Sequence, residues 1–449
     1  MTANTSLIKR LPSGFRKISG NLGWLYADQI VRMILGMVVV AWMARALGPA
    51  QFGSYSFVLT VVTALTSIAG LAIDPLMVRD LSQRIQDPDK SSENSVLGSA
   101  FVLRLGMSLI GVIASIAIIA LITPGDSTAL ATCAVMSLSI LCQPFLLTDF
   151  WFRARYQTQY TVTARLASAV TSNALRIALL LADAPLPAYG IPVIVDFAVL
   201  AFGMKHLYAR QGGRMSEWRP VMAEVKRLAY QTTPLLFTSI LILAQARLDV
   251  FLIAKYLPAE ELGFYSVTLR LTEIGVLAPA LLLSVLEPFV ARHAARGHSQ
   301  LQFAMRTAYR INVIICLLPI LPMLLAPGPI IQLLFGAHYA PAAPLLMLSA
   351  GRLFIASLGI TKSLFLINNH IYWRSTLTSI TGLVIGALLN TLLIPVMGVY
   401  GAIYASFISF FVTIVLMDLL WADLRGNLKS MLVGTFTPFA FRPRDLEHD

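Results

Sequence analysis

The sequence has little charge for its length. Asp, Glu, Lys and Arg together make up 12% of its 449 residues, while residues of the hydrophobic set make up 57%. A soluble globular domain usually carries about twice that charged fraction. This composition excludes an ordinary soluble domain. It predicts an all-α polytopic membrane protein, since an α-helix satisfies its own backbone hydrogen bonds in lipid.

Cysteine is also scarce, and phosphate-binding loops are missing from the sequence. The three cysteines, Cys133, Cys142 and Cys316, lie within apolar runs and lack the spacing of a metal site or a disulfide framework. We interpret them as small hydrophobic residues. No glycine-rich loop precedes a helix, so ATP hydrolysis is not expected and no cofactor is predicted beyond a coupling ion, H⁺ or Na⁺.

Acidic residues are fewer than basic ones, 22 against 34, which gives a formal charge of +12. A nucleic-acid-binding protein would carry these bases on a soluble face, whereas here they lie in short segments between apolar runs. If the N-terminus is cytoplasmic, only Arg45 and Lys255 fall on the periplasmic side. The excess of basic residues inside therefore predicts that both termini are cytoplasmic and that no nucleic acid is bound.

Twelve apolar runs reach the roughly 20 residues that a helix needs to cross a bilayer. We predict the spans at residues 22–44, 54–74, 96–122, 128–148, 161–182, 187–206, 231–254, 262–288, 308–335, 342–366, 375–396 and 399–421. The first run has no small-residue cleavage site and is expected to remain as a helix rather than be removed as a signal peptide.

The spans divide the chain into two lobes joined by the longest basic connection. We predict a cytoplasmic interfacial segment, an N-lobe with spans 1 to 6, a cytoplasmic linker, a C-lobe with spans 7 to 12 and a basic cytoplasmic tail, at residues 1–20, 21–206, 207–230, 231–421 and 422–449.

A degraded repeat relates the two lobes. The stretch L-G-P-A-Q-F-G-S-Y-S that starts at Leu47 returns as L-P-A-E-E-L-G-F-Y-S from Leu257. Each copy is followed by an apolar run and then by D-P-x-x-x-R or E-P-x-x-x-R. A repeat of this size predicts pseudosymmetric six-helix lobes.

Eight bases remain inside the predicted spans, where a lipid-facing charge costs about 2.5 to 3.5 kcal/mol. They are Arg32, Arg104, Arg165, Arg176, Arg247, Arg270, Arg352 and Lys362. Arg104, Arg165 and Lys362 lie near a cytoplasmic boundary, where snorkelling to the interface is the alternative. The deeper arginines are expected to line an interior cavity or to be paired.

Helical spacing places several of these bases on polar faces. Asp28 and Arg32 are four residues apart, Arg270 and Glu273 are three apart, and Gln245 precedes Asp249 by one turn. A further polar stripe runs down span 5, through Arg165, Ser168, Ser172 and Arg176.

Bases outnumber acids in the predicted spans, so the interior is expected to attract anions. The candidate binding residues are Arg32, Arg165, Arg176, Arg247, Arg270 and Arg352, and the candidate ion-coupling residues are Asp28, Asp196, Asp249 and Glu273.

Several short motifs resemble the polysaccharide transporter family of the MOP superfamily. They are A-R-A-L-G-P-A-Q-F-G-S-Y at 44–55, A-R-L-D-V-F-L-I-A at 246–254, L-G-F-Y-S at 262–266 and L-F-G-A-H-Y at 334–339. The resemblance implies twelve helices in two lobes arranged in a V. It also implies a flippase that moves undecaprenyl-pyrophosphate-linked oligosaccharide, for O-antigen or exopolysaccharide, across the bacterial inner membrane. The implied partners are membrane lipids, a polysaccharide polymerase and glycosyltransferases, and the protein is expected to be a monomer.

Three alternatives share part of this pattern. A MATE-type multidrug exporter has the same plan but usually takes cations, and a lipid II flippase calls for fourteen spans. A membrane-embedded polysaccharide-assembly enzyme needs a larger extramembrane loop than this chain offers. A flippase with a cationic cavity and no enzymatic activity is therefore the preferred reading.

Overall fold

A computed structural model describes the backbone of residues 13–70, 73–84, 90–369 and 371–439, with most side chains from Arg32 onward. Within these ranges the chain forms helices and turns and no strand. Eleven continuous helical stretches of the described residues, some made of several short helices in succession, are long and apolar enough to cross a membrane. The predicted all-α polytopic fold is thus confirmed, and the predicted segment at residues 1–20 lies largely outside the described residues.

The helices follow the predicted spans closely. In the first half they are α1 (Ser13–Ala69), α2 (Asp74–Arg84), α3 (Lys90–Ile122), α4 (Ser127–Ser137), α5 (Leu147–Ala154), α6 (Thr158–Leu181) and α7 (Ile191–Arg210). In the second half they are α8 (Met222–Tyr256), α9 (Ala259–Ala294), α10 (His298–Leu325), α11 (Pro327–Phe335), α12 (Ala342–Asn368), α13 (Tyr372–Met397), α14 (Val399–Phe411), α15 (Met417–Leu420) and α16 (Arg425–Phe436).

The long helix α1 contains the first predicted span and residues 54–69 of the second. Its regular geometry is broken at Gly48, whose φ of 72° lies in the left-handed region, and Pro49 follows directly. Glycine adopts this conformation without a Cβ penalty, and proline is tolerated at the start of the next helical turn. The eleven candidate helices therefore account for all twelve predicted spans.

The chain folds as two compact units. One comprises the residues up to Ala46 together with Val58–Ile240, and the other comprises Leu47–Phe57 together with the residues from Leu241 onward. The first copy of the repeat motif thus packs with the second half of the chain. The hydrophobic periodicity of the sequence did not predict that the first repeat copy would pack with the second half of the chain.

Two glycines let the two copies of the repeat pack backbone against backbone within the second unit. A Cβ on Gly53 would lie 1.8 Å from the carbonyl oxygen of Ala259, and a Cβ on Gly263 would lie 2.1 Å from that of Pro49. The contact is reciprocal, because each motif glycine faces a carbonyl of the other copy. The glycine shared by both motifs is therefore a packing requirement.

An aromatic cluster closes around this glycine contact. Tyr339, from the L-F-G-A-H-Y motif, packs edge-on against Phe52 and Phe264, with ring centroids 6.3 and 6.1 Å away. Phe335 adds a third ring at 5.8 Å. Tyr339 is fully buried, and burial raises the pKa of its hydroxyl. Three of the family motifs therefore meet in one structural joint, made by the Gly53–Gly263 contact and these rings.

The basic connection between α7 and α8 packs onto the first unit. Ser99 on α3 accepts a 3.0 Å hydrogen bond from the backbone N–H of Val221, and Tyr208 accepts one of 3.2 Å from Trp218 Nε1. On α8, Arg227 donates to Asp80 and Glu224. The connection is thereby fixed by specific hydrogen bonds.

We expect Gly53→Ala to destabilise the protein, because the new methyl group would overlap a backbone carbonyl. Overpacking of this kind typically costs about 1 to 3 kcal/mol. Thermal unfolding of the purified protein in detergent measures the effect. Gly328→Ala is the matched control, since a Cβ at this helical glycine meets no atom within 4 Å. An unchanged melting temperature for Gly53→Ala would contradict the reciprocal contact.

Candidate functional site: charged residues within the spans

One buried charged group of the second unit is a cluster of three side chains. Arg352, on α12, donates hydrogen bonds through Nη1 to the hydroxyl of Tyr265 at 3.1 Å and to Oδ2 of Asp249 at 3.5 Å. The Tyr265 hydroxyl donates in turn to Oδ2 of Asp249. Asp249 and Tyr265 are 5% and 1% exposed. Arg352 is therefore held in one orientation, with its charge balanced by a carboxylate.

Both partners of Arg352 come from family motifs. Asp249 belongs to the A-R-L-D-V-F-L-I-A stretch of α8, and Tyr265 is the tyrosine of the second repeat copy at the start of α9. The repeat thus supplies the packing glycine and the hydroxyl that bridges the ion pair.

A second ion pair on α8 and α9 is more open to solvent. Arg247 Nη1 lies 2.7 Å from Glu273 Oε1, with side-chain exposures of 32% and 39%. Helical spacing places Arg270 one turn from Glu273 on α9, but the carboxylate of Glu273 contacts Arg247 of α8. Helical spacing identifies only neighbours on one helix, whereas Arg247 approaches from α8.

A small polar recess lies beside Asp249. Gln245 and Asp249 line it together, as their one-turn spacing predicted, and α13 contributes Gly382 and Asn390. Ser409 closes it from α14. The second unit therefore has a polar surface next to its buried ion pair.

In the first unit, Arg165 is paired with an acid that the sequence analysis passed over. Its Nη2 lies 3.0 Å from Asp149 Oδ2, and Arg153 lies 2.8 Å from the same oxygen. Thr161 donates a 2.8 Å hydrogen bond to the other carboxylate oxygen. Asp149 was missed because it lies one residue beyond the predicted end of span 4.

Two bases near the predicted span boundaries do not snorkel. Arg104 is 3% exposed, donates to the Gly70 carbonyl at 2.8 Å, and lies over the ring of Phe150. Lys362 is 4% exposed and forms an ion pair with Asp418. Both charges are thus accommodated inside the protein.

The other predicted residues have fewer contacts. Arg176 donates to Asn173 Oδ1 at 3.0 Å, and neither it nor Arg270 pairs with a carboxylate among the described side chains. Arg32 and Asp196 are partly buried, and the side chain of Asp28 lies outside the described residues.

Pairing reduces the expected cationic surplus of the interior. Arg165, Arg247, Arg352 and Lys362 each have a carboxylate partner among the described side chains. Two of these partners, Asp149 and Asp418, were absent from the sequence-based count. Arg176 and Arg270 stand out because no described acid balances them.

Comparison with known proteins identifies the family and the fold. The family model described as "Polysaccharide biosynthesis protein" matches residues 18–294, which is more than half of the chain. No curated protein sequence matches the chain.

Solved structures share the fold at low sequence identity. The lipid II flippase MurJ, in an inward closed conformation, aligns with a TM-score of 0.74 at 13% identity over 94% of each chain. An inward-facing multidrug resistance MATE family transporter of the MOP superfamily gives 0.67 at 14% identity, over 93% of this chain and 97% of that one. A MOP superfamily transporter from Pyrococcus furiosus, described as having a binding pocket of reverse polarity, gives 0.57 at 16% identity over 92% and 94%. The chain is a multi-pass membrane protein with the MOP transporter fold.

We expect Asp249→Asn to destabilise the protein, because the amide leaves the charge of Arg352 buried without a counterion. Loss of one partner of a buried ion pair costs about 3 to 5 kcal/mol. Tyr265→Phe should cost less, about 1 to 3 kcal/mol, since it removes only a hydrogen-bonding group. Thermal unfolding in detergent measures both, and Tyr400→Phe, at a partly exposed ring, is the control. Equal melting temperatures for Asp249→Asn and Tyr400→Phe would refute the pairing.

Proposed function

We propose, since this chain belongs to the polysaccharide biosynthesis protein family, that it is a flippase for undecaprenyl-pyrophosphate-linked oligosaccharide. It would carry an O-antigen or exopolysaccharide repeat unit from the cytoplasmic to the periplasmic leaflet of the bacterial inner membrane by alternating access. The observation that carries the proposal is the presence of membrane-span arginines without acid partners in a family of polysaccharide biosynthesis.

Arg176 in the first unit and Arg270 in the second are, each taken by itself, candidates to bind an anionic group of this cargo. Each lies on a membrane-spanning helix, α6 or α9, and neither is paired with a described carboxylate. The planar guanidinium donates two parallel hydrogen bonds to phosphate oxygens, and such charge-assisted bonds are about twice as strong as neutral ones. An anionic headgroup would supply a counterion to arginines that have none among the described side chains.

We assign different roles in transport to the other predicted residues. Arg352 is held by Asp249 and Tyr265, so it contributes a fixed positive charge beside the polar recess. Arg247 forms an ion pair with Glu273 and is partly exposed, so a diphosphate can compete with Glu273 for the guanidinium group. Cargo that binds Arg247 would release Glu273, and this exchange is the proposed link between cargo and a coupling ion, by reciprocal coupling.

Export of cationic drugs is the competing function for this fold. An exporter of cations needs a carboxylate that is free to bind its substrate, whereas Asp249 and Glu273 both contact arginine. The Pyrococcus furiosus transporter indicates that the fold accommodates pockets of either polarity. The pairing pattern in this chain favours an anionic substrate.

We expect Arg270→Ala to reduce surface polysaccharide in the native host, because the diphosphate loses a cationic partner. Loss of one charged hydrogen-bonding group typically weakens binding by about 1.5 to 3 kcal/mol, or roughly 10- to 150-fold. The measurement is polysaccharide per cell at matched protein level, together with accumulated undecaprenyl-linked glycan.

The control for Arg270→Ala is Arg296→Ala. Arg296 is an exposed arginine of the same unit, in the turn between α9 and α10. Arg84 is unsuitable as a control, because it ends α2 and donates hydrogen bonds to Glu224 and to the Ser92 carbonyl. Equal polysaccharide losses for Arg270→Ala and Arg296→Ala would count against the cationic site.

A further inference from the structure

A second buried ion pair lies in the second unit, apart from the Arg352 cluster. Lys362 on α12 contacts Asp418 on α15, and their side chains are 5% and 0% exposed. Neither residue belongs to the proposed binding or coupling set. A charged pair so completely removed from water, in membrane-spanning helices, points to a role beyond packing.

The backbone next to Asp418 departs from regular α-helical geometry. Residues Val412–Leu416 form a π-helical turn, in which the Met417 N–H bonds the carbonyl of Val412. The neighbouring carbonyl, of Thr413, accepts a 3.0 Å hydrogen bond from Lys362 Nζ. The ammonium therefore has a backbone acceptor that does not depend on the charge of Asp418. Such π-turns inside helices recur at functional sites.

The other oxygen of Asp418 faces a chain of buried neutral groups. Asn427, on α16, donates a 2.7 Å hydrogen bond through Nδ2 to Asp418 Oδ2. The amide oxygen of Asn427 accepts a 3.0 Å bond from the hydroxyl of Tyr309 on α10. Among the described side chains, Lys362 and Tyr309 are thus the titratable groups that face this carboxylate, and Lys362 carries the positive charge.

Stability alone does not account for such an arrangement. A buried ion pair can often be replaced by apolar residues of similar volume without loss of stability, because desolvation offsets the attraction between the charges. We propose that Lys362 and Asp418 form a proton-binding site, with Asp418 as the group that takes up the proton.

In the proposed step, a proton from water adds to a carboxylate oxygen of Asp418 and gives the neutral acid. Lys362 stays an ammonium and keeps its bond to the Thr413 carbonyl. The neutral acid is a weaker acceptor, so its bonds to Lys362 and Asn427 weaken. Asp418 is shielded from solvent in this conformation, so exchange with water takes place in another state of the transport cycle.

The helix α12 connects this site to the Arg352 cluster. Lys362 lies ten residues after Arg352 on α12, which is about 15 Å along the axis. A shift of α12 on protonation would therefore reach the Arg352, Asp249 and Tyr265 cluster. This coupling rests on the proposed flippase function, whereas proton uptake by Asp418 does not.

Proton uptake is tested on the purified full-length protein by infrared difference spectroscopy between high and low pH. The parent should gain the carbonyl band of a protonated carboxylic acid, and Asp418→Asn should lose one such band. Because Asp418→Asn leaves Lys362 without its counterion, the double variant Lys362→Met, Asp418→Leu is measured as well. This apolar pair should lack the band and keep the melting temperature of the parent. An unchanged band in both variants overturns the proposal.

Coupling is tested in vesicles loaded with undecaprenyl-pyrophosphate-linked glycan, with and without an imposed pH gradient. The parent should flip faster with the gradient, and the double variant should lose that response. The control, Arg374→Met with Asp423→Asn, removes a more exposed ion pair of the same unit and should respond as the parent does. A double variant that responds like the parent overturns the coupling. No flipping by the parent would instead defeat the proposed function, while the infrared result would still decide whether Asp418 binds a proton.

Discussion

The free-energy cost of placing a charge in hydrocarbon governs the interior of this protein. A guanidinium or ammonium group within a membrane span must find oxygen atoms to replace water. Arg104 finds backbone carbonyls, Arg165 and Arg352 find carboxylates, and Lys362 finds both a carboxylate and a carbonyl. Arg176 finds the amide oxygen of Asn173, but neither Arg176 nor Arg270 has a carboxylate partner among the described side chains, and for this reason we propose that each can bind an anion.

The motifs that carry the family resemblance build the scaffold. Gly53 and Gly263 permit the backbone contact between the two repeat copies, and Tyr339 packs the rings around it. Tyr265, which follows Phe264 of this joint, donates a hydrogen bond to the buried carboxylate of Asp249. Short glycine-based motifs therefore identify the fold through the contacts that build it.

The fold could be predicted from the sequence because hydrophobic run length reports membrane spans directly. Described helices overlap all twelve predicted spans, and the joining of the first two across Gly48 was not foreseen. The candidate site was less predictable. Depth in a span indicated which bases are buried, but ion-pair partners come from other helices, as Glu273, Asp149 and Asp418 show. Periodicity along one helix carries no information on such contacts.

The most direct test of flippase activity is a sidedness assay on purified protein in vesicles. A labelled undecaprenyl-pyrophosphate oligosaccharide is placed in both leaflets, and a membrane-impermeant glycosidase is added outside. If the protein is a flippase for this cargo, its vesicles will expose nearly all of the label to the enzyme, while protein-free vesicles will protect the inner half. Protection of the inner half in both kinds of vesicle, together with transport of a cationic drug by the same preparation, would contradict the proposed function.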